Sequence, residues 1–95
     1  MENIQHIPGK DRGEILLYTL STCIWCRKTK QLLERLGVAY SYIELDRLSD
    51  VAKEAAVVEL LKWNPDRSFP TMVINEQRSI IGYKEAEIAE VLGVE

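Results

Sequence analysis

Two cysteines constrain this chain more than any other feature. Cys23 and Cys26 are separated by Ile24 and Trp25, directly after a short apolar segment and where an amphipathic helical pattern begins. At this spacing the two sulfurs meet across one helical turn and can close a disulfide without moving the preceding strand. Free N–H groups and the positive end of the helix dipole favour a thiolate on the first cysteine. The pattern therefore predicts a redox-active pair, with Cys23 as the exposed nucleophile and Cys26 as the resolving thiol.

Apolar periodicity around this motif predicts one α/β domain. The expected strands are 14–20, 38–45, 71–74 and 78–81, and the expected helices are 26–36, 50–61 and 85–92. The first strand–helix–strand unit implies parallel pairing through a right-handed crossover, and the closing hairpin adds antiparallel strands, so the sheet should be mixed. Residues 1–13, with Pro8, Gly9 and Gly13 among mixed charges, are interpreted as an irregular lead-in to a domain at 14–95.

Helical spacing also predicts which helix faces are buried. In the second helix the stripe expected to face the core is Val51, Ala55, Val58 and Leu61, with Ala52 and Ala56 alongside. In the last helix the inward residues are expected to be Ile88, Ala89 and Leu92.

Composition excludes several classes of partner. The 95 residues carry a formal net charge of −3, without the cationic excess that is typical of nucleic-acid binding. No apolar run approaches the roughly 20 residues of a membrane span, and the first residues lack the basic-then-apolar order of a signal peptide. We therefore expect a cytoplasmic monomer that binds neither nucleic acid nor membrane. In that compartment a permanent structural disulfide is not expected, which favours a redox role for the cysteines.

The same sulfurs allow two other functions. Zinc normally needs four ligands, and the chain offers two cysteines and His6, so no metal site within one chain is expected. A metal or iron–sulfur cluster shared between two chains, with Cys23 from each, remains the main alternative. A third possibility is an interaction module in which the disulfide only switches the affinity for a partner.

A proline lies where the third strand begins. In Ser68-Phe69-Pro70-Thr71 the proline opens a strand, a position where it need not donate a ladder hydrogen bond. The functional interpretation is a cis Phe69–Pro70 bond beside the cysteines, which would turn the backbone groups of Phe69 outward to pair with an extended thiol substrate. Both interpretations are open at this point.

Residues 18–26, 69–71 and 80–83 together resemble glutaredoxins and their NrdH-type relatives, and the similarity extends from about residue 14 to the end. The resemblance implies a thioredoxin-like fold, with a four-stranded mixed sheet flanked by helices (βαβαββα) and a cis proline facing the disulfide. It implies a thiol–disulfide oxidoreductase that reduces protein or glutathione mixed disulfides and carries two electrons. No cofactor would be tightly bound, and glutathione or a thioredoxin reductase-type protein would supply electrons. The implied substrate-binding residues are Thr22, Ile24, Trp25, Phe69, Pro70, Thr71, Gly82 and Tyr83.

Several departures from the glutaredoxin pattern bear on the substrate. Typical glutaredoxins carry Pro-Tyr between the cysteines and a lysine three residues before the first, where this chain has Ile24-Trp25 and Leu20. Their Gly-Gly-x-Asp segment, which helps hold glutathione, corresponds to Ile-Gly-Tyr-Lys at 81–84. Loss of the lysine and the aspartate argues against tight glutathione binding, and the 82–84 ending is closer to the NrdH type. Trp25 is expected either to contact a partner or to pack on Pro70 or Phe69.

Overall fold

Residues 3–93, which the computed structural model describes, form five strands, three α-helices and one 3₁₀ turn. The elements are β1 (Gln5–Ile7), β2 (Ile15–Thr19), α1 (Ile24–Leu36), β3 (Tyr40–Glu44), the 3₁₀ turn (Leu45–Arg47), α2 (Asp50–Trp63), β4 (Thr71–Ile74), β5 (Arg78–Ile81) and α3 (Glu85–Leu92). Every element predicted after residue 13 is present, and the observed boundaries differ from the predicted ones by two residues at most.

The strands form one mixed sheet in the spatial order β1-β3-β2-β4-β5. β2 and β3 are parallel and joined by α1, as the strand–helix–strand pattern predicted, whereas β4 is antiparallel to both β2 and β5. In this register Tyr18 lies opposite Thr71, and Thr71 lies opposite Ile81. The carboxyl ends of β2 and β5 and the amino end of β4 therefore meet at one end of the sheet.

Each face of the sheet has its own hydrophobic cluster, because side chains alternate along each strand. On one face, Leu17 of β2 belongs to the same cluster as Leu33 of α1 and Ile88 of α3. On the other face, Tyr18 of β2 belongs to a cluster with Leu60 of α2. The sheet is thus covered by α1 and α3 on one side and by α2 on the other.

The lead-in is not irregular throughout, and the predicted count of four strands was one too low. β1 pairs antiparallel with β3, with Ile7 opposite Tyr40. The Lys10 N–H donates to the Gly37 carbonyl at 2.8 Å, and a Cβ on Gly9 would lie 2.6 Å from the Val38 carbonyl carbon. A three-residue strand with one half-buried side chain has too little periodicity to be recognised from sequence. Residues 1–2 and 94–95 of the predicted ranges lie outside the described residues.

The predicted buried face of α2 was wrong. All four residues of the expected stripe are exposed, with Val51 at 79%: Val51, Ala55, Val58 and Leu61. Ala56, which was expected beside that stripe, is fully buried, and so is Leu60 one turn later, which was not predicted. The helix is apolar on both sides, so spacing alone could not decide which side packs on the sheet. In α3, by contrast, Ile88 and Leu92 are buried as predicted, and Ala89 is half-buried.

No helix within residues 3–93 combines the length and the apolar character that crossing a lipid bilayer requires.

Two adjacent leucines test the corrected orientation of α2. Leu60→Ala should lower the free energy of unfolding by about 2–5 kcal/mol, because it leaves a cavity under the helix. Leu61→Ala, the matched control, should lower it much less, by about 0.5 kcal/mol, because that side chain is already 39% exposed and its removal leaves no enclosed cavity. Urea unfolding followed by circular dichroism measures both. Equal losses, or a larger loss at Leu61, would contradict this orientation.

Candidate redox-active site

The cysteine pair lies at the amino end of α1, where the sequence placed it. Cys23 is the N-cap residue, and its half-buried Sγ accepts a hydrogen bond of 3.1 Å from the Cys26 N–H. This bond satisfies one of the N–H groups that a helix start leaves unpaired. It also stabilises negative charge on the Cys23 sulfur, as does the positive end of the helix dipole. Both cysteines are free thiols.

Cys26 occupies a very different environment one turn further along α1. It is only 1% exposed, and burial raises the pKa of its thiol to about 12. Burial is the largest cause of this raised pKa; side-chain hydrogen bonding with Cys23 and the charge of Cys23 also contribute to the rise, whereas the Leu20 backbone and the Lys30 ammonium oppose it. Cys26 is therefore a protonated thiol at neutral pH, chiefly because it is buried.

Five of the predicted substrate-binding residues line one open cleft of about 240 Å³. They are Trp25, Phe69, Pro70, Gly82 and Tyr83. All five are uncharged, and the Phe69–Pro70 peptide bond is cis, as the functional interpretation of the proline expected. Since Trp25 lies between the two cysteines in sequence, the cleft opens beside the pair.

Trp25 forms the rim of this cleft. Its ring stacks on Tyr83, with ring centroids 5.8 Å apart and an interplanar angle of 27°. The Lys28 ammonium lies 5.0 Å from the Trp25 ring centroid, within the range of a cation–π interaction. The sequence predicts that Trp25 either contacts a partner or packs on Pro70 or Phe69. Trp25 shares the cleft with these two residues, but its ring stacks on Tyr83. It is still 54% exposed, so much of the ring is free to contact a ligand.

The loop before Cys23 is tied to the 3₁₀ turn. The Ser21 N–H donates to Asp46 Oδ1 at 2.9 Å, and the Ser21 hydroxyl donates to Asp46 Oδ2. The two hydrogen bonds from Ser21 lower the pKa of the Asp46 carboxyl, so it stays an ionised acceptor at neutral pH. Thr22 and Ile24, also predicted to bind substrate, are exposed on either side of Cys23 and lie outside the cleft lining.

Thr71, also predicted to bind substrate, directs its side chain into the domain rather than into the cleft. Thr71 is fully buried, its hydroxyl donates to the Ser68 carbonyl at 2.9 Å, and it accepts from Asn64 Nδ2 at 3.0 Å. The side chain therefore serves the loop that carries Phe69.

Two residues at this end of the sheet, Asn64 and Asp46, were missed by sequence reasoning. Asn64 carried a usable signal, because an asparagine directly before a proline is typical of a turn held by its own side chain. Its Oδ1 indeed accepts from the Asp66 N–H at 3.0 Å. Asp46 carried no comparable signal, since its bond to Ser21 spans 25 residues.

Metal ligands do not cluster within the part of the chain that the structure describes. Residues 3–93 contain no group of three or more His, Cys, Asp and Glu side chains placed to hold a metal ion. His6 lies on β1, where its Nδ1 is 2.7 Å from the Ser41 hydroxyl. A metal or cluster bound through the two cysteines would therefore need ligands from outside this range or from a second molecule.

The fold and the cysteine pair define a redoxin with the thioredoxin-like fold. Comparison with known proteins narrows this class: the glutaredoxin family model matches residues 15–79, and the chain belongs to the glutaredoxin family. The crystal structure of the glutaredoxin from Methanosarcina mazei Go1 superposes with a TM-score of 0.89 at 50% identity, over 95% of this chain and 87% of that one. Methanosarcina acetivorans methanoredoxin superposes with a TM-score of 0.87 at 47% identity, over 90% of each chain.

A curated relative is glutaredoxin 1 of Rickettsia bellii, which is 40% identical over 62 residues. The alignment covers 64% of this chain and 61% of the relative. The chain thus spans less than two thirds of the length of the curated relatives that it matches most strongly.

Alkylation tests the contrast between the two thiols. At pH 7 a thiol with a pKa of about 12 is a thiolate in roughly one molecule in 10⁵. Iodoacetamide should therefore modify Cys23 and leave Cys26 intact in the folded, reduced protein, as peptide mapping by mass spectrometry would establish. Modification of Cys26 should accelerate about tenfold per pH unit as the pH rises towards that pKa.

Protein unfolded in urea is the control, because both cysteines should then react. Equal modification of Cys23 and Cys26 in the folded protein would contradict the described environment of Cys26.

Proposed function

We propose that this chain is a dithiol thiol–disulfide oxidoreductase that reduces protein or glutathione mixed disulfides and acts as an electron carrier. One observation carries the proposal: a half-exposed Cys23 sulfur at a helix amino end, beside a cleft and one turn from a buried Cys26. Membership of the glutaredoxin family supports the same reaction class.

The first step is nucleophilic attack by the Cys23 thiolate on a substrate disulfide. A bond forms between Cys23 Sγ and one substrate sulfur, the substrate S–S bond breaks, and the other sulfur leaves as a thiolate. The hydrogen bond from the Cys26 N–H supports this step because it stabilises the attacking charge. The helix amino end holds the sulfur beside the cleft in which the substrate lies.

The second step is attack by Cys26 on Cys23 Sγ. Cys26 loses its proton, the Cys23–Cys26 disulfide forms, and the second substrate sulfur leaves as a thiolate. The two electrons that reduce the substrate come from the two thiols. Formation of the mixed disulfide removes the charge of Cys23, which was one of the causes that raised the Cys26 pKa. Release of the Cys26 proton is thereby made easier only after the first step has occurred.

The uncharged cleft bears on the substrate and on the electron donor. Two charged residues of typical glutaredoxins are replaced in this chain. Leu20 stands where they have a lysine, and Lys84 stands where they have an aspartate. Leu20 is half-buried against the cluster under α2. Its aliphatic side chain cannot form an ion pair with a carboxylate, as a lysine there would. We infer that substrates bind through apolar and backbone contacts, and that either glutathione or a thioredoxin reductase-type protein restores the dithiol. Neither step requires a tightly bound cofactor.

Serine substitutions at the two cysteines test the assignment of roles. Cys23→Ser should reduce turnover of a peptide disulfide to the uncatalysed rate, because the attacking sulfur is lost. Cys26→Ser should instead accumulate a mixed disulfide with the peptide in a single-turnover reaction without added thiol, detected by intact-mass spectrometry. Each variant is the control for the other, because both replace a cysteine of the same motif by serine and are expected to give different products. Unchanged turnover by Cys23→Ser would exclude the proposed mechanism.

A further inference from the structure

We propose that Asn64 is a positioning residue, which with Thr71 fixes the Ser68–Phe69 peptide so that the Phe69 N–H is presented to the disulfide substrate. The inference rests on the proposed function, because it assigns a binding group within the same site.

Asn64 is fully buried and forms the C-cap of α2. Its Nδ2 shares two hydrogens among three acceptors: the Ser68 carbonyl at 3.1 Å, the Ser68 hydroxyl at 2.9 Å and Thr71 Oγ1 at 3.0 Å. Its Oδ1 accepts from the Asp66 N–H at 3.0 Å. One side chain therefore joins the end of α2 to the residues on both sides of Phe69-Pro70. A buried polar network whose members are all satisfied holds a single geometry, because leaving any of them unpaired is costly.

The Ser68 carbonyl is the group that this network holds most firmly. It accepts from Asn64 Nδ2 at 3.1 Å and from the Thr71 hydroxyl at 2.9 Å. The Ser68–Phe69 peptide is trans, so its C=O and N–H lie in one plane and point in opposite directions. Because the carbonyl points to the buried Asn64 and Thr71 side chains, the Phe69 N–H points away from them.

The next peptide unit is anchored as well, and Phe69 itself is left free. The Pro70 carbonyl accepts from the Gly82 N–H at 2.8 Å, which ties the loop to the end of β5. Within residues 3–93, neither the N–H nor the C=O of Phe69 has a hydrogen-bond partner. Phe69 lines the cleft, and an extended substrate segment is recognised through free backbone groups of this kind.

Steady-state kinetics of Asn64→Ala with a peptide disulfide tests the inference. Loss of the bonds that orient one substrate-binding N–H should raise KM about three- to tenfold, with kcat little changed. The rate at which iodoacetamide modifies Cys23 should equal that of the wild type, because α1 and the cysteines are untouched. A general destabilisation of the fold would change both KM and the rate of Cys23 alkylation, whereas loss of the positioning role should change KM alone.

Two further variants complete the experiment. Thr71→Val keeps the side-chain shape, removes the second donor to the Ser68 carbonyl, and carries the test if Asn64→Ala does not fold. It should raise KM in the same direction, and the double variant should add little, because both residues act on one peptide. Ser79→Ala is the matched control: it removes a 3.1 Å bond to the Trp63 carbonyl, also at the end of α2, and should leave KM unchanged.

The outcomes separate this inference from the proposed function. An unchanged KM in folded Asn64→Ala and Thr71→Val, with a wild type that turns over, would overturn the positioning role alone. A parallel fall in Cys23 alkylation would also overturn it, since the effect would then reach the nucleophile. No turnover by the wild type would overturn both the positioning role and the proposed function.

Discussion

The register of the central strands brings the site together. Parallel pairing of β2 with β3 requires a crossover, and α1 supplies it; four residues separate the end of β2 from α1, and the last of them, Cys23, is the helix cap. β4 runs antiparallel to β2 with Thr71 opposite Tyr18, so the loop with Phe69 and Pro70 reaches the same end of the sheet. β5 ends beside the start of β4, which adds Gly82 and Tyr83. Residues that are up to 58 positions apart, Trp25 and Tyr83, therefore line one cleft.

The two thiols lie one helical turn apart but differ in their exposure to solvent. The cap position leaves Cys23 partly exposed, with its sulfur accepting a hydrogen bond from the Cys26 N–H, whereas Cys26 is buried, where charge is unfavourable. In the proposed mechanism the same separation orders the two steps, since the charge of Cys23 is one of the causes that raise the Cys26 pKa before a substrate has been attacked. Hydrogen bonds from two other residues fix the loops next to the cysteines. Asp46 anchors the loop before Cys23, and Asn64 anchors the loop before Pro70.

Much of this arrangement could be predicted from the sequence, because strands and helices differ in apolar period and the cysteine spacing is specific to a strand–helix junction. The face of α2 could not, since Val58 and Leu60 are equally apolar and only packing on the sheet selects Leu60. The hydrogen bonds between Asn64, Ser68 and Thr71 could not be predicted for another reason, although the Asn-Pro pair did indicate a turn. These bonds depend on how the loop before β4 folds back on the end of α2, which no local sequence pattern specifies.

The central claim is that the cysteine pair reduces disulfides, and NADPH consumption tests it most directly. Reduction of a small disulfide would be followed with glutathione and glutathione reductase as one electron source, and with thioredoxin reductase as the other. The account predicts turnover above the uncatalysed rate with at least one source, and its loss when Cys23 is replaced by serine. Folded protein that consumes no NADPH with either source would contradict the account.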